Sequence, residues 1–185
     1  MIYEIKIELD DVDPPIWRRV QVPGQITLAG LHDVIQLATG WEDCHLHEFH
    51  IGRDRYGPVF EDDYDTDLNA GEAEVRLEEV VTRAETKFRY IYDFGDDWRH
   101  TLTVEKRIEV DPKTEYPRCL AGERAAPLED CGGPWGHATI LEALRHPDDP
   151  DYAEQLDWAE GYDPEAFDLA ARSEEHTSEL QSLLI

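Results

Sequence analysis

The segment Tyr92-Asp93-Phe94-Gly95-Asp96-Asp97-Trp98-Arg99-His100 puts three carboxylates, one histidine and three aromatic rings into nine residues. A carboxylate next to an imidazole can orient the ring and raise its pKa, which is how a general base is assembled. Asp93, Asp96 and His100 are therefore the candidate catalytic residues. The plainer assignment is structural: a histidine on an apolar strand face usually packs in a core, and Asp96 can brace a turn with its own side chain. His45-Leu46-His47 is a second constellation. On an extended strand its imidazoles share a face about 7 Å apart, a common way to offer two nitrogens to a metal. Phe49 and Ile51 follow the same alternation, so two half-buried, hydrogen-bonded histidines also explain the pattern. Cys119 and Cys131 are twelve residues apart in a glycine-rich stretch, wider than the cysteine pairs of structural zinc sites. With His100 or His137 they could complete a site, and otherwise they are small buried residues. His45, His47, Cys119 and Cys131 are thus the candidate metal ligands, and a divalent metal such as zinc is the candidate cofactor.

These side chains need elements to position them. Ile5, Ile7 and Leu9 alternate along a first strand, and a turn at residues 10–15 leads to a second strand over 16–22. Thr27 is an N-cap, Leu28, Leu31, Val34, Ile35 and Ala38 form a helical apolar stripe, and Gly40 ends the helix. Residues 45–51 read as a strand, and residues 52–71 as an acidic loop. Residues 87–93 and 98–110 form the clearest hairpin. Phe88, Tyr90 and Tyr92 share one face of it, opposite Trp98, His100, Leu102 and Val104, and Gly95 lies in the turn. Residues 112–136 read as irregular and 138–146 as a short helix. Asp149-Pro150 and Asp163-Pro164 each signal the start of a further short helix. The expected fold is α+β: a mainly antiparallel sheet with a ββαβ start, one main helix after the first hairpin, and short C-terminal helices. Trp17, Trp41, Tyr92, Trp98 and Trp135 are candidate ligand-lining aromatics.

Composition narrows the function classes. The chain of 185 residues has a formal net charge of -26, from 43 acidic and 17 basic side chains. That balance repels a phosphate backbone and argues against nucleic acid as a partner, while suiting a soluble protein or a basic partner. There is no apolar run long enough to span a membrane and no basic, apolar leader, and three cysteines fit a reducing compartment, so a cytoplasmic location is expected. Asp93-Phe94-Gly95 spells a kinase motif without its companions. The acidic run from Glu61 to Asp67 lacks calcium-loop spacing. Arg18 and Arg19 make too small a patch for a phosphate backbone, and no activated serine stands among arginines as a serine recombinase would need. Residues 172–182 match the translation of a common sequencing-library adapter, so residues 1–171 are read as one domain and 172–185 as a non-native tail.

Several motifs resemble one known family, named after the third open reading frame of a hairy-root-inducing (Ri) plasmid. They are Pro14-Pro15-Ile16-Trp17-Arg18-Arg19-Val20, Leu31-His32, Gly40-Trp41, His45-Leu46-His47-Glu48-Phe49 and the Tyr92–His100 segment. Cys119-Leu120-Ala121-Gly122-Glu123-Arg124-Ala125 and Pro127-Leu128-Glu129-Asp130-Cys131-Gly132-Gly133 complete the set. The resemblance implies a compact α+β domain of bacteria and archaea, often near mobile elements, some members carrying a transposon-resolvase label. Ala126 and Leu128 stand where many members have cysteine and proline, which weakens a metal site built on three C-terminal cysteines. The leading expectation is a non-catalytic binding or accessory domain linked to plasmids or transposons, acting on a protein or small-molecule ligand. The alternative is a metal-dependent hydrolase or nuclease-like enzyme using His45, His47, Asp93 and His100. A resolvase-type DNA protein is the third reading.

Overall fold

The structure is a computed structural model and describes residues 1–59, 70–82 and 86–170. The acidic run at 61–67 and the adapter-like tail lie outside the described residues. The elements are β1 (Ile2–Leu9), β2 (Trp17–Pro23), α1 (Leu28–Thr39), β3 (His47–Ile51), β4 (Asp54–Gly57), β5 (Ala70–Gly71), α2 (Leu77–Val80), β6 (Lys87–Tyr92), β7 (Trp98–Ile108), β8 (Arg118–Glu123), α3 (Gly133–Arg145) and α4 (Ala153–Trp158). The eight strands form one sheet in the order β5-β4-β3-β6-β7-β1-β2-β8. Every pairing is antiparallel except β4 with β5. This is an α+β fold dominated by its sheet.

The register explains the core. Tyr92 faces Trp98, Tyr90 faces His100 and Phe88 faces Leu102 across the β6–β7 hairpin. The ladder continues through Leu102 opposite Ile7 and through Ile5 opposite Val20. All of these side chains are buried. Each aromatic or branched cross-strand pair adds about 0.2–1 kcal/mol. Leu28, Leu31, Val34, Ile35 and Ala38 of α1 are fully buried in the same cluster. Thr27 accepts a bond from the Gly30 N–H at the start of α1, and Gly40 takes φ 84° to end it, the positive-φ stop that glycine supplies without strain. Arg18 lies opposite Ile7, with its Nε donating to the Ala38 carbonyl at 2.7 Å, so a buried guanidinium serves the helix C-terminus.

Several expected boundaries shift. β3 begins at His47, so His45 lies in the bend before it and the expected His45–His47 strand face does not form. β4 stands inside the expected acidic loop. β8 stands inside the expected irregular stretch: its sequence, Arg-Cys-Leu-Ala-Gly-Glu, has no β-branched residue, and its pairing with β2 is long-range. α3 starts at Gly133 rather than 138, because Pro134 is tolerated in the first helical turn. Directly after Asp163-Pro164 the chain makes a turn instead of a helix, in which Asp163 accepts the Glu165 N–H.

Candidate functional site

Three separated segments meet at one end of the sheet. The first is the loop from Gly40 to Leu46 that links α1 to β3. The second is the β6–β7 turn, where Asp93 and Asp97 both take positive φ. Aspartate is among the few non-glycine residues that adopt this conformation. The third is the loop 124–132 leading into α3, where Asp130 also takes positive φ.

Specific bonds hold these segments together. Trp41 Nε1 donates to the Pro127 carbonyl at 2.8 Å, and the Glu42 N–H donates to Glu129 at 2.9 Å. The Tyr92 hydroxyl accepts from the Cys44 N–H at 3.0 Å and donates to the Glu129 carboxylate at 3.2 Å. Burial, followed by the neighbouring Glu129 charge, raises the Tyr92 pKa, so this hydroxyl stays protonated. The Gly132 N–H donates to Asp96, and Asp93 accepts from the Gly95 N–H. A Cβ on Gly136 would stand 1.8 Å from the Cys131 carbonyl oxygen, so only glycine allows α3 to start this close to the loop.

At this junction His45 Nε2 lies 3.1 Å from Asp130, 3.6 Å from Asp93 and 3.6 Å from Glu129. That nitrogen is sequestered from solvent and makes no well-formed hydrogen bond. One imidazole thus faces three carboxylates, leaving net negative charge whichever protonation state it holds. His45, Asp93 and Asp130 each offer a ligand atom within 4.8 Å of the others, so the cluster can attract a cation.

The cluster opens into a cleft of about 610 Å³. Trp41, Trp158, Tyr162 and Phe167 supply aromatic surface, while Glu42, Glu129, Asp130 and Asp168 supply carboxylates. Among the described residues that line it, Arg18 is the one cation, and it is already bonded to the Ala38, Trp17 and Glu123 carbonyls. Tyr162 donates to the Ala126 carbonyl at 3.1 Å and the Ala125 N–H donates to that of Pro164, which fixes the far wall.

The remaining sequence candidates lie elsewhere. His47 bonds Glu72 at 2.8 Å and stacks on His32. His100 is enclosed between Trp41 and Tyr90, with Nδ1 on the Trp98 carbonyl, and burial pushes its pKa down to about 4. It is not joined to Asp93 or Asp96. His45, His47, Asp93 and His100 therefore do not assemble into a single cluster, because the β3 and β7 histidines are each taken up by the sheet and its covering helix. Cys119 is buried on β8, and burial pushes the Cys131 thiol up to about 12. Among the described residues neither thiol joins a group of three ligand atoms. Trp98 and Tyr92 are core residues at 1% and 0% exposure, although the Tyr92 hydroxyl reaches Glu129. Trp17 bonds Glu123 away from the cleft, and Trp135 stands on α3 beside a smaller hollow. Of the five aromatics, Trp41 lines the cleft. Glu129 and Asp130, from the loop before α3, carry the acidic wall. Tyr162, Trp158 and Phe167 carry no sequence signal for this position, since the folding back of the C-terminal segment brings them there.

The profile of the family described as "Plasmid pRiA4b ORF-3-like protein" matches residues 1–171. An uncharacterized protein of Sinorhizobium fredii, y4hQ, is 37% identical over 170 residues, covering 92% of this chain and 85% of that protein. A crystal structure of a protein of unknown function from Methanosarcina mazei, MM3350, superposes with a TM-score of 0.83 at 36% identity, covering 91% of this chain and 96% of the other. Among the described residues no helix is long and apolar enough to cross a membrane.

Proposed function

We propose a binding role for this chain, which belongs to the plasmid pRiA4b ORF-3-like protein family. It is a non-catalytic accessory module of the cytoplasm associated with mobile elements, with residues 1–171 acting as one domain. Its cleft takes a lysine- or arginine-bearing segment of a protein partner. The observation that carries this reading is the wall of Glu42, Glu129 and Asp130 beside Trp41, Trp158 and Tyr162, the Phe167 ring being covered by Arg18. Aromatic faces attract cations, by about 0.5–2 kcal/mol per contact, and carboxylates give charge-assisted hydrogen bonds. A net charge of -26 steers such a partner toward the molecule and repels nucleic acid. The enclosed position of His100 keeps that imidazole from Asp93 and Asp96, so the acid–base pair expected within Tyr92–His100 lends no support to a catalytic reading.

The test is a tryptophan-fluorescence titration with basic, neutral and acidic peptides of equal length. The basic peptide is expected to bind saturably, more weakly as salt rises, and at least about tenfold more weakly to a Glu129→Gln/Asp130→Asn variant. Equal binding of the neutral peptide, unchanged affinity in the variant, or preference for duplex DNA would contradict the reading.

A further inference from the structure

A second cluster lies outside the cleft and uses none of its lining residues. His32 comes from α1, Asp43 from the α1–β3 loop, His47 from the first position of β3, and Glu72 from the residue after β5. The imidazoles of His32 and His47 stack with centroids 3.5 Å apart and planes 5° from parallel. His32 Nε2 is 2.9 Å from Asp43, and His47 Nε2 is 2.8 Å from Glu72. One ligand atom each from His32, Asp43 and His47 falls within 4.8 Å of the others. Both imidazoles and Glu72 are buried, whereas the Asp43 side chain is 55% exposed.

Two further features distinguish this cluster from a chance gathering of polar groups. Both rings turn the same nitrogen, Nε2, toward carboxylates, and His32 is held from behind. Its Nδ1 lies 2.7 Å from the Tyr90 hydroxyl, which accepts from Gln36 at 3.1 Å, while Gln36 Oε1 accepts the Asp43 N–H at 3.2 Å. A single glutamine thus ties the ring-orienting tyrosine to the loop that carries a carboxylate. Such outer groups fix the orientation of metal-bound imidazoles. Composition is the second feature: a carboxylate oxygen stands beside one nitrogen of each ring, at 2.9 Å for Asp43 on His32 and 2.8 Å for Glu72 on His47.

We propose that His32, Asp43 and His47 bind one divalent transition-metal ion through one nitrogen of each ring and one Asp43 oxygen, with Glu72 bracing His47 from outside. Imidazole nitrogens with a carboxylate oxygen suit zinc, iron(II), manganese(II) or cobalt(II), rather than magnesium or calcium, which favour oxygen alone. The ion links α1, the following loop and β3, so its role is to fasten these three segments.

The experiment uses the full chain stripped with a chelator and titrated with cobalt(II), read by visible absorption and by melting temperature. One equivalent is expected to bind with nitrogen- and oxygen-ligand absorption and a rise in Tm. Asp43→Asn is expected to weaken binding at least about 100-fold and Glu72→Gln about tenfold, both keeping the circular dichroism of the parent, and His45→Ala to leave it unchanged. Absence of saturable binding, parental affinity in both carboxylate variants, or a loss confined to His45→Ala overturns the proposal. If Glu72→Gln does not fold, Asp43→Asn decides the matter alone, since the Asp43 side chain lies largely in solvent.

Discussion

His45 and His47 are two positions apart and occupy opposite surroundings. His47 is buried, packed ring to ring on His32, with its Nε2 matched to the single carboxylate of Glu72. His45 is part-exposed, and three carboxylates from two other segments share its Nε2 without a well-formed bond. The cause is local: β3 starts between them, so one ring is committed to the sheet and its covering helix while the other points into a junction of loops. The buried site is closed around a point, whereas the junction is open, acidic and lined by aromatics. Charge left unmatched beside a cleft is available to a partner, and charge matched within a core holds the fold.

The strongest challenge to that division is Trp41→Ala. Trp41 stacks on Tyr92, meets His100 edge-on, bonds Pro127 and forms a cleft wall. Its loss is expected to cost about 3–5 kcal/mol in denaturant unfolding and to abolish peptide binding. Loss of binding with unchanged stability would mean that the cleft is not built on the core.

Acid titration reads two other buried histidines, His100 and His137. Burial lowers the His100 and His137 pKa values from 6.5 to about 4. The unfolded chain therefore binds protons that the folded one refuses, and stability present above pH 6.5 is lost as pH falls toward 4. Each group contributes at most about 3 kcal/mol across that window. His100→Leu is expected to flatten the acid slope. An acid slope left at the parental value would contradict the assignment.

A smaller effect sharpens the contrast directly. In the metal-free protein Glu72→Ala leaves the buried His47 without its partner and is expected to cost about 2 kcal/mol. Asp130→Ala, at a side chain 64% exposed, is expected to change stability by less than about 0.5 kcal/mol while weakening peptide binding. The reverse order in urea melts would break the comparison.

The sequence carries the sheet centre well. The alternation in β6 and β7 and the stripe on α1 are short-range patterns, and the aromatic faces they define are buried as that alternation requires. The junction is harder to read. His45 looks like a strand residue because alternation runs through it, and only the turn geometry shows that the strand has not begun. Glu129 and Asp130 acquire meaning through distant partners, Tyr92, Glu42 and His45. His32 hides among the apolar residues of α1, where a polar residue on a buried stripe, with Gln36 one turn later, is the available signal. Asp43 and Glu72 join it from loops, whose placement depends on long-range contacts rather than periodicity.

The most direct test of the account is a two-dimensional NMR titration of the isotope-labelled chain with a lysine-rich peptide. The account predicts saturable shifts concentrated on the Trp41 and Trp158 indoles and on the Glu42, Glu129 and Asp130 amides, with the Trp135 indole unmoved. Shifts spread evenly over acidic surface residues, or centred on Trp135, would contradict it.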